Sequence, residues 1–389
     1  MANTLNLGNG NWGVKKDSLL AYNSENGNFK PLPFDFTRAS SATVVNKDGL
    51  IETVGSGEPR IDFSNDAKGA LLLEPQRSNA IQYSEDFSNG SWVKVGLSVN
   101  SNQIISPDGT LNADEVNITA ANSHYLFNSI SVSASTSYTF TFYVKKGTAT
   151  DVSYSILNET NFTNIVNTTS YFNEISDTEW TRISVEFTTP SGCTSIRTYP
   201  LRDGSSNGTV YIFGAQIEQG SYATSYIPTS GSVVTRIADA CNNGGNEQVI
   251  NSTEGVLYAE VKALNADVGI NRKIVLGDGS YNNGVEFGYQ NTTNKMQFII
   301  RSGGVISMNI ETTIFDVTEF NKIAISYKSN EGKVFVNGSQ IGITDTSVVT
   351  PIGLSKLDFK FSTAFNFEGN VKNVKIYNTR LSNAELKAL

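Results

Sequence analysis

Three stretches of this chain alternate apolar and polar side chains with a period of two, which suits one face of a pleated strand and no helix. In "SYTFTFYVKKG", Tyr138, Phe140 and Phe142 share one face, while Thr139, Thr141 and Tyr143 share the other. In "WTRISVEFTTP", Ile183, Val185 and Phe187 point inward and Arg182, Ser184 and Glu186 outward. In "NKIAISYKSNEGKVFVNGSQIG", Ile323, Ile325 and Tyr327 alternate with polar neighbours and the chain reverses at Asn330 to Gly332. Val334 and Val336 then return before a turn at Asn337-Gly338, which makes a β-meander. Many short strands at such spacing predict an all-β chain of antiparallel sandwiches or jelly rolls.

Composition agrees with that class: 33 Gly, 16 Tyr, 21 Phe and only 17% charged residues suit sandwiches with many turns. Lys and Arg total 29 against 37 Asp and Glu, a net charge of −8 with no basic run, which excludes nucleic acid as a partner. No apolar stretch approaches the roughly 20 residues that cross a bilayer, and the first residues show no basic n-region before an apolar run. No membrane insertion and no recognisable export signal are therefore expected. Cys193 and Cys241 stand in different segments and read as free or buried thiols.

At 389 residues, two or three domains are expected from a prior of about 150 residues each. Residues 1–84 read as an arm with short hairpins: Val44 and Val45 precede a turn at Asp48-Gly49, Leu50, Ile51 and Val54 follow it, and "PRIDF" and "GALLLEP" are two further strands. The first 40 residues hold few regularly spaced apolar positions, so the arm is expected to become ordered only against a partner. Residues 85–229 form a first sandwich, closed by the strand in "TVYIFGAQIEQG". Residues 230–236 form a linker and residues 237–389 a second sandwich. That second sandwich ends on a helix. Ser382 and Glu385 form a capping box, Leu381 and Leu386 a hydrophobic staple, and the helix is too short to persist unless docked.

The closing run "FEGNVKNVKIYNTRLSNAELKAL", with "VFVNGSQIG" before it, resembles the concanavalin A-like, laminin-G-type jelly roll of phage and bacterial surface proteins. "YSEDFSNGSW", the Trp180 strand and "VYIFGAQIEQGSYATSYIPT" resemble a carbohydrate-binding-module jelly roll. "FTRASSATVVNKDGLIETVGSGEPRIDF" with "GALLLEPQRSN" is similar to the N-terminal region of phage tail-fibre, head-fibre and other virion proteins. The resemblance implies a virion structural protein, a fibre or capsid-associated appendage, assembled in the host cytoplasm and released by lysis. Its implied partners are other virion proteins (capsid, portal or tail) and a host cell-surface glycan. Self-association is expected, a trimer before a dimer, because closed symmetry covers sheet edges. Attachment to the virion would use Trp12, Phe34, Phe36 and Arg38. The alternative is a secreted carbohydrate-active enzyme or a bacterial adhesin with binding modules.

No catalytic constellation accompanies these modules, so no enzyme is expected. "GNGNWG" satisfies G-x-G-x-x-G from Gly8 to Gly13 but lacks the βαβ unit that a dinucleotide site needs, and it reads as a docking loop anchored by Trp12. The one histidine, His124, has no nucleophile motif nearby and reads as a polar surface residue. The paired-carboxylate string E-x-D-x-x-E of concanavalin-like glucanases is absent. Sugar binding would use aromatic faces, with Asn, Asp or Arg orienting hydroxyls. The candidates are Trp92, Tyr125, Tyr154, Arg197 and Tyr199 in the first sandwich and Tyr281, Asn282 and Asn283 in the second, whereas Trp180 reads as core. No cofactor is expected beyond a structural Ca²⁺ at Asp278, which the jelly-roll resemblance implies.

Overall fold

A computed structural model describes residues 3–24, 30–120, 123–203, 207–266, 272–290, 292–313, 315–360 and 366–389. The chain forms two compact units. The first comprises Met1–Lys47, Val54–Pro75 and Ile237–Leu389, and the second Asp48–Thr53 and Gln76–Arg236. Strands dominate both, and the only helix among the described residues is Asn383–Ala388.

In the first unit a twelve-stranded antiparallel sheet faces a five-stranded one. The large sheet reveals what the N-terminal segment does. Leu5–Gly8 pairs with Gly369–Tyr377, nearly the whole chain away, and on its other side with Ser18–Asn23. Ser18–Asn23 pairs in turn with Lys30–Thr37, and that strand with Ala240–Asn242. Leu5, Leu7, Leu19, Ala21, Leu32, Phe34 and Phe36 all enter the same core as Leu257, Ile323, Val334 and Ile376. Burying such a side chain contributes about 1.5 to 3 kcal/mol, enough to offset the ordering entropy of a few residues. Most of the expected arm, residues 1–47 and 54–75, is thus paired into the second sandwich, and the rest belongs to the other unit. Phe34, Phe36 and Arg38 are buried and cannot present an attachment surface. Trp12 is half-buried, packs against the same core and donates from Nε1 to the carbonyl of Lys68 at 2.8 Å.

Arg38 and Arg60 meet Asp239 and Glu74 inside this unit. Arg60 donates to Glu74 at 2.7 Å and to Asp239, and Arg38 donates to Asp239 at 3.1 Å and to the carbonyls of Ser40, Gly55 and Glu58. Burial opposes the Arg60 charge, yet Asp239 and Glu74 hold its pKa above the ordinary value. Asp239 also accepts from the amide of Glu74 at 2.9 Å, and Glu74 accepts the amide of Asp239 at 3.0 Å. The cluster joins the point where the chain leaves this unit to the point where it returns.

The terminal helix is built as its sequence specifies. Ser382 Oγ accepts from the Glu385 amide at 3.4 Å, Glu385 Oε2 accepts from the Ser382 amide at 2.7 Å, and Leu381 and Leu386 are buried with Val256, Tyr258 and Phe335.

The second unit stacks two five-stranded antiparallel sheets. Leu97–Ile105, Leu111–Ile118, Gly208–Gln219, Ser137–Lys146 and Thr181–Thr188 form the back sheet, in that spatial order. Val93–Val95, Tyr125–Ser131, Ser195–Arg202, Ser153–Asn158 and Thr163–Ser170 form the other, called the site sheet below. Tyr138, Phe140, Phe142 and Val144 enter the core between them with Ile183, Val185, Phe187, Ile156 and Leu201. The residues expected as a linker belong to this unit: Val234–Arg236 pairs with Arg77–Asn79, and Arg236 is buried. Trp180 is half-buried on the outer side of the back sheet with Ala113, Phe213 and Tyr226, not in the central core. His124 is fully buried rather than on the surface. Its Nδ1 lies 3.2 Å from the Ala120 carbonyl, and burial lowers its pKa.

Candidate glycan-binding face

Strand parity decides which side chains the site sheet shows outward. Tyr125, Phe127 and Ser129 alternate with Leu126, Asn128 and Ile130 on one strand, and register places Tyr125 opposite Arg202 and Ser129 opposite Arg197. On the other side of the Ser195–Arg202 strand, Tyr199 faces Ser155 and Arg197 faces Leu157. Tyr125, Phe127, Leu157 and Tyr199 therefore form an apolar cluster on the outer face, separate from the core. Phe127 and Tyr199 ring centroids lie 5.0 Å apart, and Tyr125 meets Tyr199 edge-on at 6.2 Å.

Pro200 alters the parity. Two steps on the Tyr125–Ser131 strand, Asn128 to Leu126, oppose three steps on its neighbour, Thr198 to Leu201. An extra residue at a proline is a bulge, because proline has no amide hydrogen to give the ladder. Beyond it Leu201 turns into the core and Arg202 turns out beside Tyr125.

Two guanidiniums cover the rings. Arg197 Cζ stands 4.6 Å from the Phe127 centroid and 5.4 Å from that of Phe162, and Arg202 Cζ stands 4.7 Å from that of Tyr199. Such stacking holds a planar cation without consuming all of its donors. Glu159 fixes Arg197 through a 2.8 Å bond from Nε. Burial opposes the Arg197 charge, but Glu159 and Tyr199 raise its pKa. The Glu159 carboxyl, against its own burial, is held below the usual range by Arg197, Ser195 and Ser129. Arg202 Nη1 donates to Ser155 Oγ and Asn164 Oδ1, both at 3.1 Å. Phe162 is exposed, Val93 and Val95 are exposed on the edge strand, and a hollow of about 530 Å³ opens beside Val93, Ser129 and Ser131.

Of the first-sandwich candidates, the face thus gathers Tyr125, Arg197 and Tyr199. Trp92 is not among them: it is buried, 4.7 Å from Phe87, with Nε1 bonded to the Tyr83 carbonyl at 2.9 Å. Tyr154 lies on the opposite face of its strand from Ser155, stacked 6.0 Å from Tyr171 against the core. Phe127, Leu157, Phe162, Glu159 and Arg202 were not singled out from sequence. Alternation through "YLFNS" marks Phe127 as the partner of Tyr125, whereas the bulge conceals Arg202.

The second-sandwich candidates form a turn rather than an aromatic face. Asp278 accepts from the Ser280 amide at 2.7 Å, Ser280 Oγ at 3.0 Å and Asn283 Nδ2 at 2.9 Å. Asn283 Oδ1 accepts from the amides of Gly303 and Ile352, and the Asn282 carbonyl accepts from Gly304. Tyr281 is exposed, its ring 4.2 Å from Arg301 Cζ. The Asp278 carboxylate is used in closing this turn, and among the described residues no group of three or more His, Cys, Asp or Glu could hold a metal ion.

Residues 79–199 match the family model of a carbohydrate binding domain, and residues 257–387 match that of the concanavalin A-like lectin/glucanases superfamily. The two sandwiches are therefore similar to a carbohydrate-binding domain and a lectin-like domain. No curated protein matches the chain. Among solved structures, the CBM40 module of the Ruminococcus gnavus IT-sialidase bound to α2,3-sialyllactose is 16% identical over 38% of this chain and 92% of that one, with a TM-score of 0.31. The CBM22-1 xylan-binding domain of Paenibacillus barcinonensis Xyn10C is 13% identical over 38% and 94%, TM-score 0.27. The enzymatically active domain of bacteriophage CBA120 tailspike protein 4 is 12% identical over 36% and 21%, TM-score 0.29.

Proposed function

We propose that this protein is a bacteriophage virion appendage that binds a host-surface glycan through the outer face of the site sheet, without catalysis. The observation that carries the glycan reading is the cluster of Tyr125, Phe127, Leu157 and Tyr199 under two guanidiniums. It lies on an outer sheet face, with Tyr125 partly exposed, Phe127 and Tyr199 buried beneath the guanidiniums and Leu157 buried beside them, and most of it falls within the stretch similar to a carbohydrate binding domain. Rings, together with donors held in fixed orientation, are what sugar recognition requires. The virion reading rests on the resemblance of the runs from Phe36 to Phe63 and Gly69 to Asn79 to virion proteins. With Phe34, Phe36 and Arg38 buried, attachment to capsid, portal or tail falls to other surfaces, and a homotrimer is the expected assembly.

A glycan array probed with the full chain tests the binding reading. Specific signal is expected, and Tyr199→Ala in a folded variant should remove it. Absence of signal from every glycan, or binding indifferent to that substitution, would overturn the reading. Immunogold labelling of purified particles tests the virion assignment, which fails if the label stays with unassembled protein.

A further inference from the structure

The donor and acceptor balance of the face names a class of glycan, an inference that rests on the binding reading above. Neutral sugars are usually oriented by side chains offering both acceptors and donors to hydroxyl groups. The acceptors of Glu159, Asn164 and Ser155 are already taken, which leaves the Asp203 carboxylate beside Arg202 as the acceptor with an unbonded oxygen. Glu159 Oε1 accepts from Arg197 Nε at 2.8 Å and Ser129 Oγ at 3.3 Å, and its Oε2 accepts from Ser195 Oγ at 2.9 Å. Asn164 Oδ1 accepts from Arg202 Nη1, and the Ser155 hydroxyl accepts from the same nitrogen while donating to the Val166 carbonyl.

The charges are matched unequally. Arg197 has Glu159 in direct contact, whereas the carboxylate beside Arg202 is Asp203, with Oδ2 4.0 Å from Nε, beyond hydrogen-bonding distance. Arg202 is also held flat, by Tyr199 beneath it and by two neutral acceptors at Nη1. With Nη1 committed and Nε buried, Nη2 is the group this fixed guanidinium has left to donate to a carboxylate, and the partly exposed ring of Tyr125 adjoins it to receive the sugar body. The net charge of −8 does not preclude an anion, because fields from distant charges are screened over about 8 to 10 Å at physiological ionic strength.

We propose that the face takes an acidic glycan, a sugar bearing a carboxylate such as a uronic or sialic acid, and that Arg202 pairs with that carboxylate. Binding would weaken with added salt, and acidic sugars would be preferred over neutral ones of the same shape.

The full chain is titrated calorimetrically with oligogalacturonate and a sialylated oligosaccharide, each beside its methyl ester, which keeps the shape and masks the charge; a sulfated oligosaccharide is a further arm. At least one acid should bind tenfold or more tightly than its ester. Arg202→Gln should abolish the preference, and Arg202→Lys should restore part of it. Asn164→Asp, which sets a carboxylate beside Arg202 Nη1 without removing the guanidinium, should weaken the acid tenfold and leave the ester unchanged. Equal affinity for acid and ester, binding of the sulfated sugar alone, or binding confined to neutral glycans would each overturn the carboxylate-bearing class while leaving the glycan-binding face intact. If neither these probes nor the array binds, the face itself is misassigned and the inference falls with it.

Discussion

On the outer face of the five-stranded sheet of the first unit, Lys273 and Arg301 converge on a single carboxylate oxygen, Glu286 Oε1, at 3.1 and 3.2 Å. On the outer face of the site sheet, Arg197 and Arg202 lie over rings instead, and only one of them has a carboxylate within hydrogen-bonding distance. Local sequence explains the difference. Glu286 sits in "GVEFG", and the flanking Gly284 and Gly288 add no side chain on its face, so long cations from both neighbouring strands can close over it. The site sheet has aromatic or branched residues at the equivalent outward positions, and these lift the arginines. Side-chain exposure follows: 6% and 7% for Lys273 and Arg301, against 26% and 17% for Arg197 and Arg202. Two faces of similar charge thus differ in whether the charge is spent internally.

The contrast can be broken most forcefully at its buried end. Glu286→Gln should destabilise the first unit by about 3 to 5 kcal/mol, because Lys273 and Arg301 would share no anion in a buried place. Glu159→Gln should cost about 0 to 1 kcal/mol, since that pair is partly solvated. Chemical denaturation followed for each variant checks the ratio, and comparable losses would dissolve the distinction. Next in size is ligand affinity. Tyr199→Ala should weaken glycan binding at least tenfold, about 1.4 kcal/mol, whereas Tyr281→Ala should leave it unchanged. Isothermal titration with the best array ligand decides, and the reverse ranking would move the site to the other unit.

Smaller is Ser382→Ala, which removes one cap bond at a cost of about 0.5 to 2 kcal/mol. In calorimetry it should shift only the transition belonging to the first unit and so label that transition for the other variants. The smallest effect is a pH dependence confined to the second unit, which carries the only histidine. Burial depresses the His124 pKa in the folded state, so the unfolded state takes up its proton first as pH falls. The stabilisation is complete above the ordinary value of about 6.5 and is lost as pH drops below it. Melting temperatures between pH 7.5 and 5.5 should therefore fall more for the native protein than for His124→Gln, and parallel profiles would remove His124 from the account.

Elements held by neighbouring residues were legible in the sequence. The capping box at Ser382 and Glu385, the turn at Asn337-Gly338 and the inward row Tyr138, Phe140, Phe142 stand where period and local chemistry put them. Pairing between distant segments was not. "LNL", "LLAY" and "LPFDF" do alternate, but each run is short, and nothing near Leu5 signals that its partner is Ile376. At the face, alternation could yield Arg197 and Tyr199, while Pro200 inverted the parity that would have revealed Arg202. Trp92 misled because residue type alone does not distinguish a ring in a core from a ring on a face.

The pairing of Arg77–Asn79 with Val234–Arg236 bears on how such a protein can change. Two antiparallel neighbours lie about 4.8 Å apart, so the stretch from Gln76 to Arg236 begins and ends side by side. Glu74 and Asp239 are likewise bonded to one another where the chain departs and resumes. Recombination could exchange most of the second unit between them, with Asp48–Thr53 staying behind, since a replacement whose ends meet at one strand spacing leaves the ionic clasp of Arg60, Glu74 and Asp239 undisturbed. A lineage could thus replace most of the sandwich that is similar to a carbohydrate binding domain in a single genetic event and keep the first unit.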